Sequence, residues 1–365
     1  MICFESKTEY TKDNTCFNYI NLKYSLFFDL ETTGFSAKNS YLYMIGALYL
    51  EPKDNTIVLK QWFLDDINTE KEMLIDFMNF VKNYTTIISF NGDGFDIPFV
   101  NQRLSKYILL SDLNSFESID LYKEAYKLRK VFKLANLKQK TIEQFFGINR
   151  EDKFSGGDLI SVYRAYLESK DERLLKVLLL HNFEDVQAMP MLLNIFSYIK
   201  IFEGQFEIDE SQIILRDVDK EKKEFIIKGS LHNKIMSRVS FGHGDYYFTA
   251  YEHTFKLKIN IYTGLLKYFY KEYKDYYYLP NEDMAVHKSV AFYVDKDYRV
   301  KAKAANCYSK KTGNFIPQPF EIIEPYFKIE YNDKTTYFEL TDDFLGDKEL
   351  IKKYVLNVIC ELLKK

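Results

Sequence analysis

Cysteine is scarce in this chain. Cys3, Cys16, Cys307 and Cys360 lie far apart with no paired spacing, which argues against a disulfide framework and a cysteine zinc site. Gly (14) and Pro (7) are also few, and Trp occurs once. That composition excludes linker-rich and low-complexity architectures. No stretch approaches about 18 apolar residues, so no segment is expected to span a membrane. The start, Met1-Ile2-Cys3-Phe4-Glu5-Ser6-Lys7, lacks the charged-then-apolar pattern of a signal peptide. These absences predict a cytoplasmic protein with no membrane partner.

What is present is core-forming material. Hydrophobic residues make up 47% of 365 positions, with 31 Phe and 30 Tyr, enough for two domains. The net charge of −3 is unevenly spread. Residues 222–328 hold 18 Lys+Arg against 11 Asp+Glu, a balance of +7, which leaves −10 elsewhere. An acidic part joined to a basic part suits a metal-using site coupled to a polyanion-binding module.

The apolar run Tyr24-Ser25-Leu26-Phe27-Phe28 ends in Asp29-Leu30-Glu31-Thr32-Thr33-Gly34. In a strand, residues i and i+2 share a face, so Asp29 and Glu31 stand side by side where a buried strand emerges. Two such charges need compensation, and a divalent cation with oxygen ligands supplies it. A strand running into a polar turn with solvated acids is the plainer alternative.

Taken in order, residues 1–22 read as a polar N-terminal arm. Strands are predicted over 24–30, 41–50 and 56–64, with a turn at Pro52-Lys53-Asp54-Asn55; short connections make them an antiparallel meander. A helix follows Thr69, then a strand over 85–90. Residues 95–107, 121–132, 141–146, from Ser155, and 172–198 read as helical, the last long or broken. Asp120 and Asp158 are expected to cap helices. After about 203 the texture turns to alternating β-type runs, including Gln212-Ile213-Ile214-Leu215 and 290–294. Hairpin turns are expected at Thr263-Gly264 and Asn332-Asp333, and an amphipathic helix over 347–363.

Two more stretches carry acids. Asn91-Gly92-Asp93-Gly94-Phe95-Asp96 follows the fourth strand and enters a helix. His181-Asn182-Phe183-Glu184-Asp185 puts His181 and Asp185 at i and i+4, on one helix face. Each taken alone fits turn, cap or surface residues.

In order, Asp-x-Glu, Asn-x3-Phe-Asp and His-x3-Asp resemble the DEDD exonuclease superfamily of the ribonuclease H-like fold. The pattern is closest to the bacterial YprB-like ribonuclease H-like family and runs from about Tyr24 to Tyr198. The resemblance implies an α/β fold with a mixed sheet flanked by helices. It implies four metal ligands, Asp29, Glu31, Asp96 and Asp185, with Asp93 the other acid offered by the second stretch. It also implies two Mg²⁺ or Mn²⁺ ions, and His181 as the group that accepts or steers a proton from the attacking water. Known subgroups carry Tyr-x3-Asp or His-x4-Asp. Here a histidine stands at the tyrosine spacing, which leaves its role open.

The expected domains are therefore the arm 1–22, a ribonuclease H-like exonuclease domain 23–202, and a mostly β domain 203–365 with a C-terminal helix. In the last, basic and aromatic residues interleave around Lys256-Leu257-Lys258, 267–274, 299–303 and 308–311, a pattern suited to nucleic acid or to a half-buried sheet. His232, His243, His253 and His287 have no metal-site spacing. The expected function is a metal-dependent nuclease on DNA or RNA, with 3′–5′ exonuclease action. The alternatives are a structure-selective endonuclease and a non-catalytic nucleic-acid-binding or adaptor protein. Nucleic acid is the expected partner, with a helicase or other repair or processing protein as a further candidate.

Overall fold

The computed structural model describes residues 1–9, 15–51, 53, 55–152, 154, 156–209, 214–219 and 222–364. Pro52 and Asp54 of the expected turn, Ser155, and Gln212-Ile213 of an expected strand lie outside them. The chain divides into two compact units, Met1–Tyr198 and Ile199–Lys365.

In the first unit, β1 (Ile2–Glu9), β2 (Ser25–Thr32), β3 (Leu42–Glu51), β4 (Thr56–Phe63), β5 (Thr86–Ser89) and β6 (Glu117–Asp120) form one sheet in the order β1-β4-β3-β2-β5-β6. β2, β3 and β4 are the antiparallel meander that their short connections predict. α1 (Glu70–Val81) then carries the chain over to β5, which runs parallel to β2. α2 (Asp96–Lys106) precedes β6, parallel to β5. The result is the expected α/β arrangement on a mixed sheet. β2 is apolar without a break from Leu26 to Phe28 because both of its faces are covered. Leu26, Phe28 and Leu30 enter the core with Ile45, Trp62 and Phe77, while Phe27, Asp29 and Glu31 occupy the opposite face.

Within the expected arm 1–22, residues Ile2–Glu9 form an edge strand: β1 pairs antiparallel with β4 from Ile2–Phe63 to Glu9–Thr56. Of its eight residues only Ile2 and Phe4 are partly buried, so its composition reads as a loop. β6 is equally short of signal, with Glu117 and Ser118 exposed. The helix expected over 121–132 breaks at Leu128 into α3 (Leu121–Lys127) and α4 (Arg129–Phe132). Asp120 does cap α3, accepting from the Tyr122 and Lys123 amides. α5 (Gln139–Phe145), α6 (Gly156–Ser169), α7 (Glu172–Leu192) and α8 (Ile195–Phe202) follow.

α7 packs across β2 and β3, and Gly46 on β3 makes this possible. A Cβ there would sit 2.2 Å from Asn182 Oδ1 and 2.8 Å from Val186 Cγ2. Gly46 is also the residue paired with Asp29, so the close approach is opposite the first acid. A separate buried network ties down the turn after β2. Arg103, fully buried, donates to both Glu70 carboxylate oxygens and to the Ala37 carbonyl, and the Leu42 amide also reaches Glu70. Every formal charge in that network is answered.

In the second unit, β7 (Phe206–Ile208), β8 (Ile214–Asp219), β9 (Lys222–His243) and β10 (Tyr246–Phe269) come first. β11 (Tyr276–Leu279), β12 (Met284–His287), α9 (Lys288–Ala291), β13 (Val300–Lys301), β14 (Tyr308–Gln318), β15 (Tyr326–Phe327), β16 (Thr336–Glu339), α10 (Asp342–Gly346) and α11 (Lys348–Lys364) complete it. One sheet runs β15-β16-β14-β10-β9-β7, with β8 also on β9, and a small sheet runs β12-β11-β13. α11 is the expected amphipathic helix, burying Ile351, Tyr354, Val355, Val358 and Ile359.

Two expectations fail here. Thr263-Gly264 is no turn: it continues β10, facing Asn314 and Gly313 of β14. The segment expected as a strand over 290–294 begins instead in α9, whose start His287 caps by accepting from the Ser289 amide. A local cap overrides the β-branched preference of Val290. Several basic residues of the interleaved stretches are also spoken for. Lys258 pairs with Glu224 (3.0 Å), Lys267 with Glu330 (2.8 Å), Lys310 with Asp283 (3.1 Å) and Lys311 with Glu339. Among the described residues no helix is long and apolar enough to cross a membrane.

Candidate active site

The three acidic stretches meet in the first unit. β2 delivers Asp29 and Glu31 from one face, and α7 lies over that face. Glu31 and Asp96 are buried, His181 is buried, and Asp29 and Asp185 are partly exposed. His181 Nε2 lies 3.5 Å from Glu31 Oε1 and 3.2 Å from Asp185 Oδ2. One ligand atom from each of Glu31, His181 and Asp185 falls within 4.8 Å of the others.

Asp29 is held from α7: Asn182 Nδ2 donates to Asp29 Oδ2 (3.1 Å), and Gln61 Nε2 donates to Asn182 Oδ1 (3.0 Å). Tyr43, wholly buried and stacked on Tyr163, donates its hydroxyl to Glu31 Oε2 (3.3 Å).

Asp96 opens α2, and the loop before it is fixed by Asp120. The Asp120 carboxylate accepts from the amides of Asn91 (2.9 Å) and Asp93 (3.3 Å), with Asn91 in the left-handed region at φ 65°. Asp93 turns the other way, to Ser118 and Lys123 (2.5 Å each). Of the two acids this stretch offers, only Asp96 senses the charge of Asp185.

The electrostatics match a crowded anionic pocket. Burial, then the charges of Asp185, Asp96 and Glu31, push the Asp29 carboxyl well above its usual range, against the Asn182 hydrogen bond. Burial and Asp185 do the same to Glu31, with the Tyr43 hydrogen bond opposing. Burial raises Asp96 to about 7, although its own amide and that of Leu30 stabilise the carboxylate, with Asp120 and Asp185 adding to the rise. Carboxyls so displaced are short of positive charge.

Two residues that sequence reasoning missed come from the connection between α5 and α6. Asp152 is partly buried, with its side chain only 2% exposed; its carboxylate lies 2.7 Å from His181 Nδ1, and Lys140 Nζ reaches the same carboxylate at 2.7 Å. Burial opposes its ionisation, but Lys140, the Phe154 amide and His181 together hold its pKa below the usual range. Arg150 fastens on the buried Glu143 and presents Nη1 to Asp185 Oδ1 at 2.6 Å. Glu184 secures the connection by accepting from the amides of Glu151 (2.8 Å) and Asp152 (3.0 Å). The only signal in the sequence is the charged triplet Arg150-Glu151-Asp152, which has no periodicity to mark it.

The donor set of carboxylates and one imidazole fits a divalent cation. Asp29, Glu31 and Asp96, three of the acids available to hold it, are displaced toward the neutral form.

Residues 26–197 match the family model described as the RNase_H superfamily. A DNA polymerase of Ostreid herpesvirus 1 (isolate France) is 45% identical over 49 residues, 13% of this chain and 3% of that protein. The family B DNA polymerase of the hyperthermophilic archaeon Pyrobaculum calidifontis aligns with 69% of this chain and 35% of its own, at 11% identity and TM-score 0.39. A product-bound exonuclease I aligns with 56% of this chain and 58% of its own, at 10% identity and TM-score 0.29. The chain thus spans under two thirds of each of these proteins. The family-model match to residues 26–197 takes in residues 26–32 of β2 and all of β3 to α7, the elements that carry the site.

Proposed function

We propose that the first unit is a metal-dependent nuclease of DEDD type that hydrolyses phosphodiester bonds of DNA or RNA as a 3′–5′ exonuclease. The observation that supports this reading is the meeting of acids from three separate stretches: Glu31, His181 and Asp185 offer ligand atoms within 4.8 Å of one another, and Asp29, Glu31 and Asp96 beside Asp185 are displaced toward neutrality. Two Mg²⁺ or Mn²⁺ ions, when bound, would activate water toward the phosphorus and offset charge on the departing sugar oxygen. Asp29, Glu31, Asp96 and Asp185 would hold them. Asn182 fixes Asp29 and Tyr43 fixes Glu31, so these ligands stand ready without reorganising. A relict binding protein would have no use for so costly a group of buried acids.

The test is cleavage of end-labelled single- and double-stranded DNA and RNA with Mg²⁺, Mn²⁺ or chelator. Metal-dependent shortening from the 3′ end is expected, and Asp29→Ala should lose more than about 100-fold of the rate while keeping the fold and nucleic-acid binding. Internal cuts would favour the endonuclease alternative. No metal-dependent cleavage of any substrate, or full activity in folded Asp29→Ala, would refute the nuclease reading.

For the second unit we infer a phosphate-tracking role with a specific location. Lys228 on β9 and Lys256 on β10 are direct cross-strand partners, a like-charge pairing that costs stability unless an anion joins it. Both line a cavity of about 380 Å³ with Arg238, Tyr251 and one acid, Asp209. Arg238 lies over the Tyr251 ring at 5.2 Å. Unlike Lys258 and Lys267, neither these lysines nor Arg238 form an ion pair among the described residues.

A further inference from the structure

His181 stands where its spacing left two roles open, and the geometry points to one of them. We propose that His181 is a metal ligand rather than a free general base, and that Glu31, His181 and Asp185 form a nitrogen–oxygen–oxygen set selecting a first-row transition ion over Mg²⁺. The inference rests on the metal-dependent reading above.

A free base needs its lone pair turned toward the space where water will sit. His181 Nε2 is instead between two carboxylate oxygens, 3.2 Å from Asp185 Oδ2 and 3.5 Å from Glu31 Oε1. Donors bound at about 2.1 Å to one small cation stand about 3–3.5 Å apart. The i, i+4 spacing of His181 and Asp185 also places two ligands on one helix face, as metal-binding helices do.

The surroundings prepare the same nitrogen. Nδ1 faces Asp152 Oδ2 at 2.7 Å, and Lys140 pins that carboxylate. A carboxylate on one ring nitrogen fixes the proton there and leaves the other nitrogen as the donor, the usual outer partner of a ligating histidine. Asp152 is thus a positioning residue. Arg150 does the matching work on Asp185. It engages Oδ1, so that Oδ2 is the oxygen turned to His181. Asp29 and Asp96 lie outside the mutually close set of three and leave an all-oxygen remainder. Imidazole suits Fe, Zn and their neighbours, whereas Mg²⁺ prefers oxygen alone.

The experiment uses the full chain, stripped with chelator and titrated with Mn²⁺. Electron spin echo envelope modulation then reads whether a ¹⁴N nucleus is directly coordinated, and calorimetry compares Mn²⁺ with Mg²⁺. A coordinated ¹⁴N signal is expected in the wild type and absent from His181→Gln, whose Mn²⁺ affinity falls at least about 10-fold while Mg²⁺ affinity moves less than about threefold. Asp152→Asn should keep the signal and bind Mn²⁺ about 10-fold more weakly. The wild-type spectrum needs no variant, and circular dichroism checks that the variants fold. Bound Mn²⁺ without ¹⁴N coupling would overturn this proposal alone, leaving His181 as a base or as an imidazolium paired with both acids. Failure of both ions to bind would overturn it together with the metal-dependent reading.

Discussion

Asp96 shows at the scale of one residue what a pocket of acids does to the protein that carries it. Its carboxyl titrates near 7 in the folded chain and near 4 when unfolded. Between those values the folded state holds a proton that the unfolded state has lost, so stability falls as pH rises through that window. Asp29 and Glu31 are displaced in the same direction. Urea unfolding in chelator should show wild type losing stability relative to Asp96→Asn from about pH 4 to about pH 7, by on the order of a few kcal/mol. Added Mn²⁺ at pH 7 should reverse the loss. A difference that shrinks with rising pH would contradict the assignment. The acids themselves were legible in the sequence because their spacings carry geometry: i and i+2 on a strand for Asp29 and Glu31, i and i+4 on a helix for His181 and Asp185. Arg150 and Asp152 were not, because a loop has no period that tells where a side chain points.

At the scale of elements, the pocket depends on how closely α7 approaches the sheet. Gly46 sets that distance. Gly46→Ala forces Asn182 and Val186 outward, and overpacking of this kind costs about 1–3 kcal/mol. The same shift carries Asn182 off Asp29. Thermal unfolding should therefore show the stability loss, and Mn²⁺ binding should weaken in the folded fraction. Unchanged metal affinity would mean that the Asn182 contact is dispensable. Elements with strong periodicity, such as β2, α1, α7 and α11, could be read from the sequence. β1 and β6 could not, since exposed edge positions carry almost no apolar signal. Thr263-Gly264 misled because a glycine in a long paired strand looks like punctuation, and 290–294 misled because His287 caps a helix there.

For the whole molecule, the charge division of the sequence survives in refined form. Many lysines of the second unit neutralise neighbouring acids, so its net charge overstates what a polyanion would meet. The Lys228–Lys256 pair with Arg238 is a cluster of basic side chains with no ion pair among the described residues, lining one cavity. Lys228→Glu with Lys256→Glu should weaken oligonucleotide binding and flatten its dependence on salt by about two phosphate contacts. Metal affinity should not change. An unaltered salt slope would remove this surface from the substrate path.

The connection between α5 and α6 has a consequence for how this protein can diverge. Loops ordinarily absorb insertions and deletions at little cost. Here Arg150 and Asp152, two positions apart, serve two different side chains of α7, while the intervening amide is tied to Glu184. One extra residue at 151 would put both out of step at once. Among variants of this chain, length should be fixed between Glu143 and Asp152 while neighbouring surface loops are free to grow, a pattern that would betray the site even where its acids had been replaced.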